Sequence, residues 1–162
     1  MRITRWIPKR VLGNPLVSAL SRRVFPRADK AIQRATHGRR SLAGAFGMPL
    51  MLLETTGRRS GALRVTPLTF ATSPSSTDFL VVGSNWGQPS QPAWSFNLRA
   101  NPEAVVVLNA ERIPVRARLL TGDERTAAWS QLLDIWPAYD EYDRRVRATS
   151  GREIMVFRLE RT

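Results

Sequence analysis

The chain predicts a mainly β domain with packed helices, an α+β fold in which a small, mostly antiparallel barrel carries helices on its surface. Three observations lead there. Short strand-like runs recur between glycine- and serine-rich turns, two of those turns are short enough to close hairpins, and helix signals interrupt or follow the strands without alternating with them. With 162 residues, 43% of them apolar, the chain can bury one real core and is too short for two ordinary domains.

The first three strands run Pro49 to Thr56, Leu63 to Ala71 and Phe79 to Ser84, and Gly57-Arg58-Arg59-Ser60-Gly61 joins the first two as a hairpin. Ser90-Gln91-Pro92 starts a helix with proline at its first position, and Asn101-Pro102 stops it after about two to three turns. Ala104 to Leu108 and Arg112 to Leu120 form a second hairpin across Asn109-Ala110-Glu111. In its second strand Ile113, Val115, Ala117 and Leu119 fall on the core face, and Pro114 falls on the polar phase of what it marks as an edge strand. Thr121-Gly122-Asp123-Glu124 reads as a capping box for a helix that turns Trp129, Leu132, Leu133 and Trp136 inward and ends at Pro137. A further helix carries Tyr139, Tyr142 and Val146 as far as Gly151, and Ile154 to Glu160 is the last strand.

Ahead of this body, residues 1–47 read as a basic, partly helical arm; residues 48–162 are the barrel domain. Leu16, Leu20 and Val24, then Ala28, Ile32 and Ala35, hold helical spacing on either side of Pro26. Residues 1–40 contain eleven of the 25 lysines and arginines but one of the 13 acids, so most of the net charge of +12 sits in the first quarter. The arm's partner should be anionic. Trp6 and Phe25 are its only aromatics before Phe46, so it lacks an interleaved stacking platform, which argues against nucleic acid and for an anionic membrane surface. No run reaches the roughly 18 apolar residues of a membrane span. Ser21-Arg22-Arg23-Val24-Phe25 has the look of a twin-arginine export signal without the apolar segment that must follow. The expected location is the cytoplasm, peripheral on the inner membrane face if the arm docks there.

The absence of cysteine and the presence of one histidine, His37, remove thiol nucleophiles and make a Ser-His-Asp hydrolase or a His-rich metal site a poor fit. Three constellations remain. The Arg58-Arg59-Ser60-Gly61 loop, with Arg64 beyond it, gathers guanidinium forks and a hydroxyl beside glycines, which suits either a phosphate ligand or a solvated hairpin tip. Ser84-Asn85-Trp86-Gly87 and Pro92-Ala93-Trp94 with Asn97 surround a helix start, and they supply either aromatic walls and hydrogen bonds for a ligand or the anchors and turns of the fold. Tyr139 and Tyr142, three apart on one helix, either shape and protonate a substrate or pack with wet hydroxyls. Asp140, Glu141 and Asp143 read as a solvated face that pairs with Arg144, Arg145 and Arg147, so no metal site is expected.

Taken as an ordered set, Leu52-Leu53-Glu54-Thr55-Thr56-Gly57-Arg58-Arg59-Ser60-Gly61, Arg64-Val65-Thr66-Pro67-Leu68, Val82-Gly83-Ser84-Asn85-Trp86-Gly87, Pro92-Ala93-Trp94 with Asn97-Leu98 and Asn101-Pro102, and Gly151-Arg152-Glu153-Ile154 with Val156-Phe157 resemble the deazaflavin-dependent nitroreductase family, from about Pro49 to Leu159. The resemblance implies an FMN-binding-like split β-barrel and coenzyme F420, an 8-hydroxy-5-deazaflavin, as cofactor. It implies that Arg58, Arg59, Ser60, Gly61 and Arg64 hold the cofactor's phosphate and acidic tail. Pro67, Ser84, Asn85, Trp86 and Gly87 would line the deazaflavin ring, with Ala93, Trp94 and Asn97 at the ring or its ribityl chain. Where the family often has lysine, Arg59 stands here, which keeps the charge and changes the hydrogen-bond geometry. The expected activity is hydride transfer from reduced F420 to a lipophilic acceptor, a quinone or a nitroaromatic compound, with Tyr139, Tyr142 or water ordered by Ser84 providing the proton. The alternatives are an FMN- or haem-binding split barrel and a non-enzymatic adaptor whose basic arm binds anionic membrane.

Overall fold

A computed structural model describes residues 48–72 and 76–162. The arm, residues 1–47, with the helix expected there, lies outside the described residues. The described chain runs β1 (Leu50–Thr56), β2 (Leu63–Thr69), β3 (Ala71–Thr72), β4 (Phe79–Val82), a single 3-10 turn (Asn85–Gly87), α1 (Ala93–Ala100), β5 (Glu103–Leu108), β6 (Glu111–Leu119), α2 (Gly122–Ile135), α3 (Tyr139–Ser150) and β7 (Val156–Arg161). All strand pairs are antiparallel, in one seven-stranded sheet of order β2-β1-β5-β6-β7-β4-β3.

That order forces the sheet to curl. Its two edge strands, β2 and β3, are separated in sequence by Phe70 alone. In a flat sheet they would stand about 29 Å apart, six strand spacings, whereas two peptide steps span about 7.6 Å at most. The edges therefore meet at Phe70, and the sheet is a split β-barrel, as expected. The run from Leu63 to Ala71, read as one strand, is two strands that serve opposite edges, and the corner at Phe70 is where the partner changes from β1 to β4.

The pleat sorts side chains into two cores. On the concave face Met51, Leu53, Phe79, Val81, Val106, Val115, Phe157 and Leu159 are buried with Trp94 and Leu98 of α1, and the Trp94 ring packs 5.7 Å from Phe157. On the convex face Leu80, Val82, Leu120 and Val156 are covered by Ala128 and Leu132 of α2 and by Tyr139, Tyr142 and Val146 of α3. Trp129, Leu133 and Trp136 pack against that second core, as their spacing requires.

Several local expectations are corrected. Strand β6 is central, flanked by β5 and β7, so Pro114 does not mark an edge. Its carbonyl accepts from Thr162 N–H at 3.2 Å, so its imide nitrogen turns to the β7 side, where pairing stops at Val115–Arg161. A missing donor costs little where the ladder has ended. The alternation also fails at the strand's end: Leu119 is exposed and Leu120 is buried, because Leu120 N–H bonds Val156 O and turns inward under α2. Pro92 stands at the N-cap of α1, one residue ahead of its predicted place. Thr121 is the N-cap of α2, yet its side chain makes no cap bond, and Glu124 is instead held by Arg118 at 2.6 and 3.0 Å. That pairing draws the Glu124 carboxyl below its ordinary pKa. Gly151 ends α3 in the left-handed conformation at φ 67°, as a C-terminal glycine should.

Candidate active site

Three elements converge on the residues singled out from the sequence. The β1–β2 hairpin loop is closed by Gly57 N–H to Ala62 O at 2.8 Å and tightened by Gly61 N–H to Gly57 O at 2.7 Å, with Gly61 at φ 66°. A side chain at residue 57 would lie 2.9 Å from Ser60 Oγ and 3.1 Å from Ala62 O, so the loop closes only around a glycine. Ser60 Oγ accepts from Ala62 N–H at 3.3 Å and from Arg64 Nη2 at 3.5 Å, which brings Arg64 alongside the loop. Arg58, Arg59 and Arg64 are exposed, and among the described residues no carboxylate forms an ion pair with any of them. By contrast Arg112, Arg116, Arg118, Arg125, Arg144, Arg145 and Arg147 all have carboxylate partners.

Helix α1 holds the loop in place. Asn97 is buried; its Oδ1 accepts from Arg58 N–H at 3.1 Å and its Nδ2 donates to Thr55 Oγ1 at 3.0 Å. Both ends of the amide are thus engaged, and the Arg58 guanidinium lies 4.7 Å above the Phe96 ring. Trp94, 5% exposed, anchors the same helix in the core. Ala93 is exposed at the helix start.

The other end of α1 abuts the turn after β4. Asn85, Trp86 and Gly87 take three successive positive φ values of 48°, 56° and 70°. Left-handed backbone costs a non-glycine residue about 1–2 kcal/mol, so this turn must be held from outside. Asn85 Nδ2 donates to Ser90 O at 2.9 Å, stapling the turn to the residues that start α1. Gly87 is buried against α3: a side chain there would lie 3.1 Å from Tyr142 Cδ1. Ser84, Asn85 and Trp86 are half-buried.

Both tyrosines are buried, with ring centroids 6.3 Å apart, so the expectation of wet hydroxyls fails. Tyr139 Oη and Thr69 Oγ1 share a hydrogen bond of 2.6 Å, and burial pushes the phenol pKa up to about 12. Thr69 and Pro67, two apart on β2, share a face, so Pro67 lies on the tyrosine side and Arg64 on the other. As expected, Glu141 pairs with Arg144 and Arg145 and Asp143 with Arg147; Asp140 accepts from Trp129 Nε1 at 3.0 Å.

Sequence reasoning missed two contributors. Phe96 is given no role by the sequence, although its place beside Asn97 puts its ring under the Arg58 guanidinium. Arg152 entered only as part of a motif. Its guanidinium spans the Ser84–Gln88 segment, which no local spacing announces.

A split barrel that presents an unpaired arginine loop at one end of a short helix and an aromatic left-handed turn at the other has the layout of a flavin-type reductase. The comparisons with known proteins narrow the class. The family model for F420H(2)-dependent quinone reductases matches residues 25–160, and the chain belongs to that family. The match starts inside the segment read as an arm, earlier than the motifs alone reached. An F420H(2)-dependent quinone reductase of Mycobacterium tuberculosis is 34% identical over 118 residues, 73% of this chain and 71% of that protein. Among solved structures, an F420-H2 dependent reductase is 34% identical with a TM-score of 0.61, covering 69% of this chain and 94% of that one. A heme binding protein from Mycobacterium smegmatis, 19% identical with a TM-score of 0.53 and covering 71% of this chain and 47% of that one, shares the fold alone. The chain is therefore an oxidoreductase, and reduced F420 is its reductant.

Proposed function

We propose that this chain reduces a lipophilic quinone with reduced F420 bound between the arginine loop and the left-handed turn. The observation that carries the reading is the loop itself, three arginines without carboxylate partners beside a hydroxyl and a left-handed glycine. Such a donor set fits a multiply anionic ligand. Arg58, Arg59, Ser60, Gly61 and Arg64 would hold the phosphate and acidic tail. Pro67, Ser84, Asn85, Trp86 and Gly87, with Ala93, would border the ring. Asn97 and Trp94 act from behind, the first by fixing the Arg58 backbone and the second by seating α1.

When bound, reduced F420 supplies a hydride from C5 of its deazaflavin. The protein's part is alignment, exclusion of bulk water and one proton, so that hydride and proton together convert quinone to hydroquinone. Tyr139 and Tyr142 close the back of the turn. The Tyr139 hydroxyl is buried and engaged with Thr69 Oγ1, which favours solvent ordered by half-buried Ser84 as the proton's source. Among the described residues no helix is long and apolar enough to cross a membrane. Docking of residues 1–40 on an anionic inner-membrane face, where quinones dissolve, is supported by the charge asymmetry of the chain.

The test is a fluorescence titration of the chain with F420 beside FMN and a nicotinamide cofactor. Saturable binding of F420 at concentrations where the others do not bind supports the site. Equal or tighter binding of FMN, or a haem absorption band, would move the chain to the fold's other chemistries.

A further inference from the structure

The left-handed turn at Asn85-Trp86-Gly87 sets a bulky tryptophan at positive φ between an asparagine and a glycine that tolerate it, so the conformation at Trp86 must be imposed. Within the turn only two backbone bonds close it, Gly87 N–H to Ser84 O and Gln88 N–H to Asn85 O, both at 3.0 Å. Two such bonds contribute about 1 kcal/mol each, no more than the left-handed strain of Asn85 and Trp86.

Beside the Asn85 staple to Ser90 O, Arg152, 64 to 69 residues further along the chain and just past the C-cap of α3, supplies the largest set of further bonds. Its Nη2 donates to Ser84 O at 2.9 Å and to Gln88 O at 2.8 Å, the two carbonyls that bracket the turn. Its Nε donates to Gln88 O at 3.1 Å, and its Nη1 to Gln91 Oε1 at 2.9 Å and to Gly83 O at 3.4 Å. All five donors of the guanidinium are used. Gln91 is itself tied back by Nε2 to Glu153 O at 2.7 Å, so the acceptor side is fixed too. Among the described residues no carboxylate forms an ion pair with Arg152, and desolvation lowers its pKa. A half-buried cation whose donors all go to carbonyl oxygens is organised for geometry more than for charge.

We propose that Arg152 is a positioning residue for the reductase: its planar fork holds Ser84–Gln88 in the left-handed form that presents Trp86 and Ser84 to the cofactor ring. The cofactor half of this rests on the site reading above; the clamp itself does not. Lysine, with a point charge and no fork, should replace it poorly.

Hydrogen exchange on the unliganded chain, followed by F420 titration, tests both halves with Arg152→Met and Arg152→Lys. The expected result is exchange at least tenfold faster at Gly87 and Gln88, with Ala117 and Leu120, bonded to Pro102 O and Val156 O, unchanged. F420 affinity should fall tenfold or more, with the lysine variant no better than halfway back on a logarithmic scale. Unchanged exchange at Gly87 and Gln88, or full rescue by lysine, would overturn the clamp. Faster exchange with unaltered F420 affinity would overturn the positioning role. A wild-type chain that takes up no F420 would overturn the cofactor half together with the site reading, while exchange still decides the clamp. Should the methionine variant fail to fold, the lysine variant carries the same measurements.

Discussion

Arg58 and Arg59, with Arg64 beside them, form a cluster of exposed arginines that pairs with no acid among the described residues, whereas the arginines of β6 and α3 do. Replacing both with alanine removes no intramolecular ion pair and one exposed cation–π contact, Arg58 on Phe96, so the cost should fall mainly on ligand binding. At about 1.5–3 kcal/mol per charge-assisted bond, F420 affinity should drop at least tenfold per arginine, with stability lowered by no more than about 1 kcal/mol and a shallower salt dependence. FMN, with one phosphate and no acidic tail, should lose less; a double variant with wild-type F420 affinity would remove the loop from the site. Tyr139 makes a prediction of opposite kind. Its folded pKa, about 12, stands above the ordinary value of 10, so the folded chain keeps a proton that the unfolded chain releases. Its contribution is therefore fully present below pH 10 and is lost as pH rises from 10 through 12. Tyr139→Phe should lower stability near neutrality by about 1 kcal/mol, through the orphaned Thr69 hydroxyl, and flatten the decline between pH 10 and 12. Thermal melts of both proteins across pH 8–12 read the difference. Residue chemistry was legible in the sequence where it depends on composition, as with the arginine loop. It was not legible where a side chain's partner lies far away, as with Asn97 on Thr55 and Arg152 on Ser84.

Among elements, periodicity found every strand and helix of the described chain except the break that curls the sheet. No glycine marks a break within Leu63 to Ala71, and strand propensity does not report which strand a residue pairs with. Pro114 was misplaced for the same reason: whether a strand is an edge depends on β7, at the far end of the chain. The Thr121–Glu124 box failed because Arg118 on the neighbouring strand offers Glu124 a charged partner, stronger than a backbone N–H. The hairpin between β5 and β6 was foreseen but is tighter than expected, turning on Asn109 and Ala110 alone with φ of 52° and 70°. Two consecutive left-handed residues define the turn that two-residue hairpins prefer, and asparagine tolerates it whereas alanine does not. Ala110→Gly should therefore stabilise the chain by about 0.5–1 kcal/mol, the relieved strain exceeding the added freedom of the unfolded glycine. Urea unfolding measures it, and a destabilised variant would mean that the turn is not under strain.

At the scale of the whole molecule, the charge is divided in a way the fold does not require. The barrel carries its acids and bases in near balance, much of it in pairs across strands and along α3, while residues 1–24 hold six arginines and lysines and no acid. The family match begins at residue 25 and does not include this stretch. A quinone acceptor dissolves in the bilayer, and the anionic cytoplasmic leaflet attracts each nearby cation by about 1 kcal/mol. Removing residues 1–24 should thus leave turnover with F420 and a water-soluble quinone unchanged, and reduce association with vesicles containing anionic lipid by tenfold or more. The intact chain should leave those vesicles as salt rises, because the Debye length shrinks from about 10 Å at 0.1 M to about 3 Å at 1 M. Loss of activity on the soluble acceptor would make the stretch part of the reductase itself. Equal vesicle binding by the shortened chain would transfer membrane affinity to the remaining cations of the arm or to the arginine loop, and the two separate on adding F420, which should compete for the loop alone.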